Sequence, residues 1–391
     1  MNKKRLFSPA FNAAALKPQK YQHQILRKVA RVIDSGQFFL GKETQALEKN
    51  LTLFLRGGDV TAVTSCHDAL LLALNSLKVT PSDEVIFPAN SLPTAFPVVL
   101  SGAKPIPVDV DENGQLDPKK LSQKLTPRTR VIILVHLYGL VGDMTKIKQI
   151  LAHRKIYLIE DCAQAFGASL QGKPIGTLGD IGCFSFYPTK NLATLGDGGA
   201  IWTKHAPLVK YYRQARLYGE SRRYWSEFVT GHSQIPEIQA GILNLYFRNI
   251  AREIAKRREL AEFYQQTIGK LGLSTFVRVL SSHSQSQPAP HLLVVEVSQR
   301  DKLRSYLQKK GVKTHVHYPY SLDELPAFKF LQLKPRDFPV TRRLTQNILS
   351  LPFHPFMTKN EIEKIVKLIG EFYFKKVKKR TTGAARGNLR L

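Results

Sequence analysis

A chain of 391 residues, 43% apolar and 23% charged, has the composition of an ordinary globular protein long enough for two domains, which excludes wholesale disorder. Its three cysteines, Cys66, Cys162 and Cys183, exclude a disulfide scaffold and point to a reducing, cytoplasmic setting. The formal charge of +28 attracts polyanions, so phosphorylated metabolites and nucleic acid both enter as candidate partners.

The chain opens on the basic MNKKR, but the LFSPAFNAAAL that follows is broken by Pro9 and Asn12, and no export signal is expected. From about residue 58 to 205, short apolar or β-branched runs alternate with helical patterns. TAVTS (61–65) precedes the helical DALLLALNSL, and EVIFP (84–88) precedes a segment ending near Gly102. KPIPVDV (104–110) is followed by a helix from Pro118, RVIILVHLYG (130–139) by one from Asp143, and KIYLIEDCA (155–163) by a loop. IGCFSFYP (181–188) and GGAIWTK (198–204) complete the series. The most apolar run, Val131 to Gly142, is too short to cross a membrane. Strands alternating with helices predict a largely parallel sheet buried on both faces, with ligands at the carboxyl ends of its strands.

One uninterrupted helical pattern starts at Pro236 and runs to about Ile268. It predicts a bridge between a large domain (1–248) and a small C-terminal domain (249–374). SSHSQSQPAP (281–290) is expected to be a loop in the second domain. Residues 375–391 carry seven basic side chains and no acidic one; without them the body still stands at +21. This tail has no interleaved aromatics for base stacking, so it is read as a flexible, solvated end and nucleic acid is set aside as the main partner.

GxxxxGKS and GxxxxGKT are absent, GDGGAI (196–201) is a poor GxGxxG, and no zinc spacing occurs, which disfavours ATP, NAD and a metal centre. Three strand-end loops remain. Asp161 stands in EDCAQA, Lys190 in SFYPTKNLATLGDGGA, and Ser65-Cys66-His67-Asp68 opens a helix whose free N–H groups suit an anion. A lysine able to form a Schiff base, a carboxylate for a pyridinium nitrogen and a phosphate cradle together make a pyridoxal-phosphate site. Separately they are also a solvated loop lysine, a capping aspartate and an ordinary helix start.

SFYPTKNLATLGDGGA, IEDCAQAFGA, VHLYGLVGDM, SGAKPIPVDV and SLPFHPFMTKNEIEKIV resemble, in collinear order from about Ser35 to Ile365, the DegT/DnrJ/StrS family of pyridoxal-phosphate sugar aminotransferases. The resemblance implies an α/β fold of the aspartate-aminotransferase type (fold type I). This has a large domain around a mainly parallel seven-stranded sheet, a smaller C-terminal α/β domain, and a homodimer with shared active sites. By position, Lys190 matches the Schiff-base lysine, Asp161 the partner of the pyridine nitrogen and Gln164 the neighbour of the cofactor's phenolic oxygen. Ala163 matches the residue on the ring face and Ser185 a phosphate ligand. Cys66 and His67 replace the Gly-Thr or Gly-Ser usual in the phosphate loop, and Leu92 replaces a stacking aromatic. GHSQIPEIQ (231–239) lacks the Asn-x-Arg of the loop lent by the partner subunit, leaving His232 or Ser233 in place of the asparagine. His317 and Tyr318 match substrate-binding residues, while Asp323 stands where a histidine is common.

The implied activity is transfer of an amino group from L-glutamate to a nucleotide-linked keto sugar. SGQFFLGKE and KNLATLGDGGA look more like the branch acting on 3-keto sugars than the 4-keto branch, which more often shows GEGGA. Two rivals remain: a dehydratase or lyase on the same fold, whose common histidine in place of the lysine is contradicted by Lys190, and a non-enzymatic regulator.

Overall fold

The computed structural model describes residues 11–384 except 15 and 284; the MNKKR start and the last seven positions of the basic tail lie outside the described residues. Helices α1 (Leu16–Lys20), α2 (Gln22–Ser35) and α3 (Lys42–Phe54) precede the first strand. The strands of the main sheet are β1 (Asp59–Val63), β2 (Glu84–Pro88), β3 (Lys104–Val108), β4 (Thr129–Val135), β5 (Tyr157–Asp161), β6 (Ile181–Ser185) and β7 (Gly199–Thr203). They form a seven-stranded sheet in the order β1-β7-β6-β5-β4-β2-β3. β7 is antiparallel to β1 and β6, and the other pairings are parallel. The carboxyl ends of β1, β5 and β6 therefore share one edge, as the parallel reading expects.

Interleaved with these strands are α4 (Cys66–Ser76), α5 (Leu92–Leu100), α6 (Pro118–Lys124), α7 (Met144–Leu151) and α8 (Ala206–Ala215). They bury both faces of the sheet. Along β4, Val131, Ile133 and Val135 join Ala69, Ala73 and Val98 of α4 and α5. The alternate residues Ile132 and Leu134 join Leu121, Met144 and Ile147 of α6 and α7. This is the two-residue period of a strand with two covered faces.

RVIILVHLYG was expected to stay extended to residue 139, but β4 stops at Val135 and the chain turns through Leu137–Gly139. Distant contacts force this turn. The Tyr138 N–H donates to Gln164 Oε1 at 2.7 Å. A Cβ at Gly139 would stand 2.1 Å from the Ala289 carbonyl oxygen, so only glycine fits.

The uninterrupted helix from Pro236 is a second correction. Pro236 caps α9 (Glu237–Phe247), the chain breaks at Arg248–Asn249, and α10 (Ile250–Lys270) starts afresh. The break lets α9 lie on α2 and α3 while α10 lies on α13 (Lys359–Ala384). The helical pattern hides it because neither residue is glycine or proline. Strands β8 (Val277–Val279), β9 (Leu293–Val297) and β10 (Ile348–Leu351) form an antiparallel sheet in that order. Leu260 and Tyr264 of α10 pack on it, as do Ile362, Ile365, Val366 and Ile369 of α13, the last four at helical spacing. α13 continues to Ala384, so the first part of the basic tail is helical.

Candidate active site

The chemical groups at the shared sheet edge are delivered by strand ends, a helix start and the loops that follow the strands. Asp161, the last residue of β5, is 4% exposed. Its Oδ1 accepts from the Ala163 N–H at 3.0 Å and the Cys66 thiol at 3.8 Å, and its Oδ2 from the Thr94 hydroxyl at 2.7 Å. Lys190 stands five residues beyond β6, in a turn where its N–H bonds the Tyr187 carbonyl at 2.8 Å. As a residue it is partly exposed, yet burial of its amine lowers its affinity for a proton, opposed by Cys66 and Asp161 nearby. Burial, and next Asp161, pushes the Cys66 thiol well up. Cys66 is thus a neutral thiol packed against the carboxylate.

Ser65 caps α4 by accepting from the Asp68 N–H at 3.0 Å. The first-turn amides of Cys66 and His67 have no acceptor inside the helix, because the first four N–H groups of any helix lack one. Strand β7 runs against this turn: a Cβ on Gly199 would sit 2.7 Å from the Cys66 nitrogen, which accounts for that glycine of GDGGA. Ser185 ends β6 and is buried. Leu92 begins α5, partly buried, as is His67.

Gln164 accepts from the Tyr138 N–H and donates to the Tyr318 hydroxyl at 3.3 Å. Tyr138 in turn donates its hydroxyl to the His317 carbonyl at 2.6 Å. His317 Nδ1 lies 2.8 Å from Ser350 Oγ. Burial, then His315, then Lys190 push the His317 imidazole down to about 4. Burial, then Asp161, pushes the Tyr318 phenol up to about 12. The loop that carries His317 and Tyr318 thus docks on Tyr138 and Gln164, bringing a neutral imidazole and a neutral phenol within electrostatic reach of Lys190 and Asp161.

Ser233 and His232 part company. Ser233 is buried and bonds to the Thr64 N–H at 3.1 Å and Asp68 Oδ2 at 2.8 Å. His232 is exposed, and its ring lies against Phe39 and Tyr218. Only His232 is left facing outwards. Asp323, in turn, is committed to an ion pair with Arg342 at 2.5 Å.

Sequence reasoning missed three groups. Thr94 touches Asp161. His291 is buried with Nδ1 unpartnered, and burial, then Lys190, hold its imidazole far below the usual range. Arg257 is buried with Nε unpartnered, and burial lowers it to about 10. None belongs to a recognisable motif. His136, Glu160 and Cys162 have ligand atoms within 4.8 Å of one another, but Glu160 and His136 are taken up by backbone groups and by each other. Glu160 takes the Gly176, Leu178 and Gly179 N–H groups and His136 Nε2, while His136 Nδ1 accepts from the Gly142 N–H.

A family model described as the DegT/DnrJ/EryC1/StrS aminotransferase family matches residues 19–370. A UDP-2-acetamido-2-deoxy-3-oxo-D-glucuronate aminotransferase of Pseudomonas aeruginosa is 36% identical over 340 residues, 86% of this chain and 92% of that protein. A dTDP-3-amino-3,4,6-trideoxy-alpha-D-glucose transaminase of Streptomyces venezuelae is 33% identical over 347 residues, 88% of this chain and 90% of that one. Among solved structures, S. venezuelae DesV in complex with a ketimine intermediate superposes with a TM-score of 0.90 at 31% identity, over 94% of this chain and 99% of that chain.

Proposed function

Since the chain belongs to the DegT/DnrJ/EryC1/StrS aminotransferase family, we propose that it moves an amino group from L-glutamate to the C3 ketone of a nucleotide-linked sugar. That it is an aminotransferase acting on keto sugars follows from the family and its named relatives; the donor, the ketone position and the nucleotide are the proposal. The observation that carries it is a match over about nine-tenths of two relatives whose names both place the nitrogen chemistry at C3 of a nucleotide sugar. The body's charge of +21 without its tail supports an anionic diphosphate linkage, since such a field speeds association of anions and weakens with salt.

The cofactor is pyridoxal phosphate, and the donor set at the sheet edge fits it. A buried carboxylate, an amine with reduced affinity for protons and a capped helix start occupy one edge. When bound, the cofactor supplies an electrophilic carbon for amines and a ring that absorbs the electrons left when a proton leaves the donor's α-carbon. In this reading Lys190 holds the cofactor at rest. Its amine would be the group that moves a proton from the donor's Cα towards C4′ of the cofactor, a task suited to an amine that releases its proton readily. Asp161 keeps a proton on the ring nitrogen. The Cys66 and His67 amides and the Ser185 hydroxyl would hold the phosphate, Ala163 and Leu92 would bind the ring, and Gln164 would serve its phenolic oxygen. His317 and Tyr318 bind the sugar as uncharged donors and acceptors.

The active unit in this reading is a homodimer, with His232 lent to the neighbouring site. In support, His232, Phe39 and Tyr218 form one exposed aromatic patch. We place the domain boundary at residue 249, where α9 gives way to α10, and the enzyme in the cytoplasm. Its three cysteines are unpaired, and among the described residues no helix is long and apolar enough to cross a membrane.

The test offers matched 3-keto and 4-keto nucleotide sugars and an unphosphorylated ketone, each with glutamate. Preference for the 3-keto compound supports the reading, preference for the 4-keto compound overturns the regiochemistry, and preference for the unphosphorylated ketone overturns the nucleotide-sugar assignment.

A further inference from the structure

Resting on the reading that Asp161 meets the ring nitrogen of pyridoxal phosphate, we propose that Thr94 is a positioning residue whose hydroxyl leaves Asp161 a single acceptor site, aimed at that nitrogen.

A carboxylate offers about four lone-pair sites, two on each oxygen. On Oδ1, the Ala163 N–H at 3.0 Å and the Cys66 thiol at 3.8 Å occupy both. On Oδ2, Thr94 occupies one at 2.7 Å. One site remains, on Oδ2, and the Thr94 bond decides which. The three donors come from the starts of α4 and α5 and the loop after β5, so the carboxylate plane is fixed from three directions.

The proton order is fixed as well. An ionised carboxylate only accepts, and a hydroxyl has one proton, so Thr94 spends its proton on Asp161. Its 2.7 Å contact with Ser91 Oγ must then run the other way, with Ser91 donating. Thr94 is 0% exposed and Ser91 3%, so water does not compete for either. The chain Ser91 to Thr94 to Asp161 is directional, and each bond polarises the next. Without the Thr94 hydroxyl, Oδ2 has two open sites, and the ring nitrogen no longer meets a unique one.

The test compares Thr94→Val, which removes the hydroxyl at equal size, with Thr94→Ser, which keeps it, in the full-length holoenzyme. Thr94→Val is expected to lose about ten- to a hundredfold in kcat, the scale of a lost bond to a charged group, with sugar KM within about twofold. The bound cofactor's absorbance should also titrate at a different pH from wild type. Thr94→Ser should restore both readouts, and Ser91→Ala should show a weaker form of both changes. Wild-type kcat and spectrum in Thr94→Val, whatever its melting temperature, would overturn the proposal. If Thr94→Val does not fold, Ser91→Ala decides, and wild-type values for it overturn the proposal. Asp161→Asn is the control for the parent reading. If it turns over at the wild-type rate, that reading fails and this one with it; if it is slow while Thr94→Val is normal, only the role of Thr94 fails.

Discussion

The amide of Gln164 donates to the hydroxyl of Tyr318 across 3.3 Å, joining residues 154 positions apart in the chain. Because Gln164 Oε1 already accepts from the Tyr138 N–H, the orientation of the amide is settled, and Nε2 is the end that meets Tyr318. Tyr318→Phe keeps the ring and removes this acceptor. The expected outcome is a loss of stability of no more than about 0.5–1.5 kcal/mol together with a roughly two- to tenfold fall in kcat/KM for the sugar. Steady-state kinetics beside a thermal melt check it; a large loss of stability with normal kinetics would make the contact merely architectural.

His317 predicts an acid limit. Its imidazole is pushed down to about 4 in the folded chain, against about 6.5 when unfolded. Between those values the unfolded chain binds more protons, so stability falls as pH drops from about 6.5 towards 4. The full loss from this residue is about 3 kcal/mol. His317→Asn should flatten that part of the profile in urea titrations at pH 4.5 and 7. An unchanged slope would show that His317 does not titrate there.

His283 predicts the opposite sign. Its bond to Asp111 at 2.8 Å raises its proton affinity, with burial opposing. That stabilisation is complete below the unfolded value near 6.5 and disappears as pH rises through the raised folded value. The pair is part-exposed, so His283→Gln should cost roughly 0.5 kcal/mol at pH 6 and nothing at pH 9. Equal costs at both pH values would contradict it.

The strands that carry the site were legible because a parallel sheet covered on both faces leaves continuous Val/Ile runs. EVIFP coincides with β2 to the residue. Asp161 and Lys190 were legible for the same reason, as polar residues just beyond such runs. Strand ends and helix breaks were not, because distant partners set them: Gln164 turns the chain at Tyr138, and α9 and α10 separate to serve different neighbours. The N-terminal helices were invisible too. α2 buries only Ile25 and Val32, and α3 is held by Glu237 accepting from the Gly41, Glu43 and Thr44 N–H groups. Thr94 was illegible because its partner is 67 residues away.

Cys66 and His67 at the start of α4 place two amides but no hydroxyl where the phosphate is expected. His67→Thr should therefore tighten pyridoxal phosphate about tenfold, the lower end of what a bond to a charged group contributes. Fluorescence titration of the apoprotein measures this. Equal or weaker binding would mean that the His67 imidazole already serves the phosphate.

In this reading, Lys190 is the residue on which the aminotransferase chemistry depends. Holoenzyme reduced with borohydride, digested and mapped by mass should carry the pyridoxyl group on the peptide containing Lys190, and Lys190→Ala should carry none while still folding. A pyridoxyl group on any other lysine, or none on cofactor-saturated protein, would contradict it.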